Sequence, residues 1–172
     1  RILPDTSLAT VIDTLHTLLS APGRTDVDVQ LKILQIVSSL LVTYANVTSE
    51  LLSRALMLCF TLYEHSRVVV VSSTAAAMLR QNVMVVFEKV HGEDQSFDAI
   101  QNEDAAVNAP LPVGTAELPS GPVTLFPCAA DVYHLLNDLC ALADGQPAQF
   151  LPLDTLSKPF VLELLESVLT TQ

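Results

Sequence analysis

The stretch Val27 to His65, VDVQLKILQIVSSLLVTYANVTSELLSRALMLCFTLYEH, decides the fold. In its first half Leu31, Ile33, Leu34, Ile36, Val37, Leu40 and Leu41 recur at helical spacing but cover more than one stripe, which predicts a helix from Asp26 or Asp28 that is buried on two sides. In its second half Thr48 reads as an N-cap and Glu50 falls in the first turn, where a carboxylate suits the helix dipole. Leu51, Leu52, Ala55, Leu56, Cys59, Phe60 and Tyr63 form the inner face of this helix, which ends near His65. Two successive helices, one of them apolar nearly all round, belong to a stack in which each helix is covered by others.

The same pattern extends outward. Upstream, Leu8, Val11, Ile12, Leu15, Leu18 and Leu19 follow the i, i+3, i+4, i+7 rule, with Asp5, Thr6 or Ser7 as N-cap and Pro22-Gly23 as the stop. Downstream, Val68 to Val71 is β-branched throughout; with no partner strand elsewhere it reads as an extended connection. Ser72, Ser73 or Thr74 then caps a fourth helix through Ala75, Met78, Leu79, Val83, Val86, Phe87 and Val90, with Gly92 as its stop. Pro127 opens a fifth helix (Ala130, Tyr133, Leu136, Leu139) that runs to Gly145, and a sixth begins near Ser157 with Pro159 in its first turn and Phe160, Val161, Leu164, Leu165, Val168 and Leu169 on its face. The expected class is all-α, about six helices in one domain over residues 1–172. Starts near Thr6, Val27, Ser49 and Ser73 make each helix pair span the ~40–47 residues of an armadillo or HEAT unit. Between the fourth and fifth helices, Glu93 to Phe126 carries six acidic residues, no basic one and Pro110, Pro112, Pro119 and Pro122, and reads as an acidic insertion or flexible loop.

Composition excludes several functions. Eight Lys+Arg against 19 Asp+Glu give a formal net charge of −11, so neither nucleic acid nor an anionic lipid surface finds a basic footprint. A mean hydropathy of +0.44 with 16% charged residues is high. The longest uncharged run, Ile33 to Ser49, is nevertheless broken by Gln35, Ser38, Ser39, Thr43, Asn46 and Thr48 and is shorter than the ~20 apolar residues a bilayer needs. The excess apolarity is expected in a core or against a protein partner. Cys59, Cys128 and Cys140 are odd in number and widely spaced, which fits buried thiols in a reducing compartment. The chain starts at Arg1, not Met, and is expected to be an excised fragment.

Chemistry-bearing patterns are sparse. Asp131, His134 and Asp138 lie at i, i+3, i+7 and could hold a metal or orient a histidine base, against the plainer reading of a solvated polar face opposite Leu135, Leu136 and Leu139. His16, His65 and His91 are isolated, and there is no G-x-S-x-G, Gly-rich phosphate loop or H-E-x-x-H. No cofactor and no catalysis are expected. Asn46-Val47-Thr48 matches a glycosylation sequon, but Thr48 is better explained as a cap. Arg80 stands in an apolar helix and either projects to a partner or pairs with an internal acid.

Three segments resemble a known family: Val29 to Gln35, then Glu50-Leu51-Leu52 with Ala55 to Cys59, then Val71 to Gln81 with its Thr-Ala-Ala-Ala-Met-Leu-Arg-Gln string. With the closing run Phe160 to Leu169, they are similar to the N-terminal dimerisation and cyclophilin-binding domain of the large Arf guanine-nucleotide exchange factors, in particular to the branch that lacks the exchange domain. The acidic Pro-rich stretch is not a motif of that family, and the family's domain has further helices upstream. The resemblance implies an armadillo-like right-handed helical stack without exchange activity. It implies a cytoplasmic scaffold at the periphery of Golgi and endosomal membranes, reaching membrane only indirectly. The implied partners are a second copy of itself, an Arf-like small GTPase and other trafficking scaffold proteins. The surface expected to meet the GTPase is the ridge from Arg67 to Thr74 along the connection and the start of the fourth helix, with Arg67, Val71, Ser72, Thr74 and, farther along, Arg80, against the plainer reading of Val68 to Val71 as an inter-helix strap packed on the core; self-association is expected on the outer side of Thr6 to Ser20. A rival reading is a helical module that holds an apolar small molecule between its helices.

Overall fold

The computed structural model describes residues 4–20, 26–100, 111–118 and 121–170. Among these are six helices and one two-stranded hairpin: α1 (Asp5–Ser20), α2 (Val27–Thr43), α3 (Ser49–His65), α4 (Val69–Ile100), β1 (Gly114–Leu118), β2 (Gly121–Leu125), α5 (Pro127–Ala143) and α6 (Lys158–Leu169). The all-α helical stack expected from the periodicity is what the chain forms.

The main contacts between helices reach no farther than the next helix but one. α3 packs on α1, α2, α4 and α5, and α4 packs on α2, α3, α5 and α6. This short-ranged pattern defines a stack rather than a bundle. The buried residues of α1, Leu8, Ile12 and Leu15, make one stripe, as befits a helix covered from one side. Those of α2 (Ile33, Leu34, Val37, Ser38, Leu40, Leu41) and α3 (Leu52, Ser53, Ala55, Leu56, Leu58, Cys59, Phe60, Leu62) wrap round the helix, because both helices have neighbours on two sides. Each fully buried Leu or Phe here contributes about 1.5–3 kcal/mol.

α4 is the spine, and it differs from expectation at both ends. Val69 to Val71 are helical, with Val71 donating to the Val68 carbonyl at 2.9 Å. Valine's poor helix propensity is outweighed by the fit of Val71, which with Ala75, Leu79, Val83 and Val86 forms the α4 stripe of the core. Gly92 lies inside the helix, which continues to Ile100. α4 is also long and apolar enough to cross a bilayer. Its packing on four other helices, and the presence of Arg80, Asn82, Glu88 and Lys89 along it, make it a core helix of the stack. The expected insertion thus begins inside α4 and closes in the hairpin; residues 101–110 and 119–120 lie outside the described residues.

α5 opens with Pro127 in its first turn and closes at Gly145, whose φ of +76° suits a residue without Cβ. Gly145 and Gln146 donate back to the Leu142 and Ala141 carbonyls at 3.1 and 2.8 Å, a double C-terminal closure. α6 packs its Phe160 ring on Tyr63 of α3, with centroids 4.2 Å apart, and so ties the end of the stack to its middle.

Candidate interaction surface

The corner between α3 and α4 is where backbone and side chains turn outward. Ser66 caps the end of α3, and its hydroxyl donates to Gln30 of α2 at 3.1 Å while accepting from the Val68 amide at 3.3 Å, which fixes the corner. Arg67 follows, fully on the surface, and then Val68, Val69 and Val70 at 36%, 78% and 59% exposure. Three consecutive exposed valines beside an arginine make a compact apolar patch. It borders a groove of about 860 Å³ lined by Leu19, Val27, Leu62, His65, Arg67 and Val68 among others.

Of the residues expected on this surface, Arg67 is placed there. Val71 is not: its side chain is wholly buried in the core, because the helix starts earlier than the sequence suggests and turns it inward. Ser72 and Thr74 are half-buried, and their hydroxyls donate to the Val69 and Val70 carbonyls at 3.2 and 2.7 Å instead of capping the helix. Arg80 lies farther along, paired with Glu163 of α6 at 2.5 Å and lying 5.8 Å from the Phe160 ring centroid, so of its two expected roles the structure shows the internal ion pair. Val69 and Val70 lie within the expected ridge but the sequence does not single them out, since four successive apolar residues give no sign of which face out. On α1, Val11 and Leu18, two turns apart, are exposed at 40% and 47%.

The acidic residues of α5 do something other than was expected. Asp131 and Asp138 are 2% and 3% exposed, not a solvated face. Both oxygens of Asp131 accept from the Ser49 amide, at 2.8 and 3.0 Å, so this carboxylate caps α3 from another helix, while the Thr48 side chain makes no capping bond. Ser49 itself has a φ of +52°, a strained conformation for a residue with a Cβ. Asp138 accepts from the Gln149 and Leu151 amides at 2.7 and 2.6 Å and fixes the loop before α6. Glu93 of α4 caps α5 in the same way, through the Cys128 and Ala129 amides at 3.1 and 3.2 Å. His134 between the two acids stacks on Phe150 and meets the Tyr133 ring edge-on. Among the described residues no group of three His, Cys, Asp or Glu could hold a metal.

Burial sets the charges of this cluster. It pushes Asp131 up from 3.8 to about 7, against the opposing pull of the Ser49 amide and Lys89. It also lowers Lys89, whose ammonium donates to the Tyr44 and Val47 carbonyls at 3.1 and 3.2 Å. Cys128 is raised to about 12 by burial and then by Glu93, and Cys59 to about 12 by burial. Thiols of that kind stay protonated at neutral pH and are poor nucleophiles. What this end of the molecule does is hold helix termini together.

The family model for the Mon2/Sec7/BIG1-like dimerisation and cyclophilin-binding domain matches residues 1–94, more than half of the chain. The chain belongs to this family. The chain is 36% identical over 98% of its length to the Protein MON2 homolog of Homo sapiens. It is 41% identical over 81% to that of Xenopus laevis, and 35% identical over 98% to Monensin-resistant homolog 2 of Caenorhabditis elegans. It spans 9%, 8% and 10% of the length of these relatives. No solved structure matches it.

Proposed function

We propose that this chain is a protein-interaction module of a trafficking scaffold, that it works by surface contact rather than catalysis, and that it acts at the cytoplasmic face of Golgi and endosomal membranes. The observation that carries this is the α3–α4 corner, where Arg67 and three exposed valines stand on a rigid helix start beside a groove. The family's dimerisation and cyclophilin-binding character supports binding to proteins, including a second copy. Within this reading the corner docks an Arf-like small GTPase. A nucleotide-dependent switch presents mixed apolar and polar surface only in its ordered state, and recruitment follows from the difference in contact between the two states. Self-association uses the outer face of α1 with Val11 and Leu18.

Calorimetric titration with an Arf-like GTPase in its GDP and GTP forms tests the docking. Tighter binding of the GTP form, weakened by Arg67→Glu or Val69→Asp, is the expected result, and equal affinity for the two forms removes the recruitment idea. Light scattering over a concentration series tests self-association: the dimer fraction should rise with concentration and fall in a Val11→Asp, Leu18→Asp variant. A strictly monomeric mass at high concentration would remove it.

A further inference from the structure

The start of α3 is capped in a way that its own sequence does not require. Thr48 already has the extended backbone of a capping residue, φ −134° and ψ 168°, and a hydroxyl of the kind that accepts from the amides two or three residues on. It makes no such bond. The Ser49 amide instead donates to Asp131 on α5, at 2.8 and 3.0 Å to its two oxygens, and Ser49 is held at φ +52°, a conformation that is costly for a residue with a Cβ. This helix end therefore carries two caps, one strained and in use, the other relaxed and idle.

The seam between α3 and α5 leaves room for a change from one to the other. Ser49, Glu50 and Ser53 of α3 and Ala130, Tyr133 and His134 of α5 are among the residues that line a groove of about 560 Å³. The first turn of α5 has an anchor of its own, since Glu93 of α4 accepts from the Cys128 and Ala129 amides at 3.1 and 3.2 Å. α5 can thus stay on α4 while its contact with the start of α3 is made or broken.

We propose that the N-terminus of α3 is a two-position latch. In the seated position, the one described above, Asp131 holds the Ser49 amide and α5 lies on the start of α3. In the lifted position Ser49 relaxes to a helical φ, the Thr48 hydroxyl accepts from the Glu50 or Leu51 amide, and α5 moves off α3 about its anchor on Glu93. The strain released at Ser49 and the new local cap offset part of the lost Asp131 contact, so α5 opens and reseats without fraying α3. The latch does not depend on docking at the α3–α4 corner.

The test is the protection of the amide at position 49 against hydrogen exchange, followed by NMR on the isotope-labelled chain and corrected for the intrinsic rate. This amide is bonded to Asp131 in the seated position and free in the lifted one. Thr48→Ala removes the cap of the lifted position only. It should therefore raise the protection of Ser49 about fivefold, while the midpoint of urea unfolding stays where it is. Thr48→Ser, which keeps the hydroxyl, should match the parent. Ser49→Gly relieves the strain of the seated position and should likewise raise protection at position 49. Unchanged or lower protection in Thr48→Ala, a fall in its urea midpoint, the same rise in Thr48→Ser, or lower protection in Ser49→Gly would each overturn the proposal.

Discussion

Asp131 makes stability depend on pH in a direction opposite to that of most carboxylates. Its folded-state value lies about three units above the ordinary 3.8, so between these values the folded chain holds a proton that the unfolded chain has lost. The stabilising contribution is therefore complete below about pH 4 and disappears as pH rises through about 7. At ~1.36 kcal/mol per unit, the part lost between pH 5 and pH 8 is about 2–3 kcal/mol. For a chain of this size that corresponds to a fall in Tm of roughly 5–10 °C. Burial also lowers Lys89 beside it, and the net charge of −11 adds repulsion as pH rises. The comparison that isolates Asp131 is Asp131→Asn, whose amide oxygen still accepts from Ser49 but cannot ionise. Thermal melts of both proteins at pH 5, 6, 7 and 8 should converge at the acid end and separate at the alkaline end, with Asp131→Asn the more stable there. Parallel melting curves at all four values would show that this carboxylate does not titrate in the range, and that the account of its burial is wrong.

Asp138→Asn should cost about 2–4 kcal/mol in urea unfolding, because the amide nitrogen replaces one of two acceptor oxygens and leaves a buried backbone N–H without a partner; a midpoint within error of the parent would contradict this. Leu79→Ala, at a fully buried position on the spine, should cost about 2–5 kcal/mol by the same measurement. Arg80→Ala should cost no more than about 1 kcal/mol, since its ion pair with Glu163 is partly solvated. It should also leave GTPase affinity unchanged, and a large loss of binding would return Arg80 to the contact surface.

Most of the architecture was legible because the helices announce themselves by apolar spacing and by caps that are local. Asp26 before α2, Pro127 at the start of α5 and Gly145 after it each act within a few residues of their position, so the sequence alone suffices to read them. The failures share a cause. Val69 and Val70 are helical because Val71 two residues on has a core to enter, and that core is made by other helices. Asp131 caps an amide 82 positions away, and nothing in its own neighbourhood distinguishes it from a solvated acid. Asp138 reads the same way until the loop at Gln149 and Leu151 is folded against it. Which residues of the α3–α4 corner face outward was half legible for the same reason: Arg67 is exposed as expected, while the burial of Val71 and the pairing of Arg80 depend on the true start of α4 and the position of α6.

The long α4 also constrains how this chain can change over evolutionary time. A single residue inserted or deleted between Val71 and Val86 would rotate everything after it by about 100°. Val86 would swing out of the core, and the contacts of Lys89 with the connection between α2 and α3 and of Glu93 with the start of α5 would be lost. Point substitutions can be absorbed one interface at a time, but the length of this segment cannot drift. Lineages carrying this module should differ freely in the number of residues that join α4 to the hairpin, and keep the spacing from Val71 to Glu93 fixed.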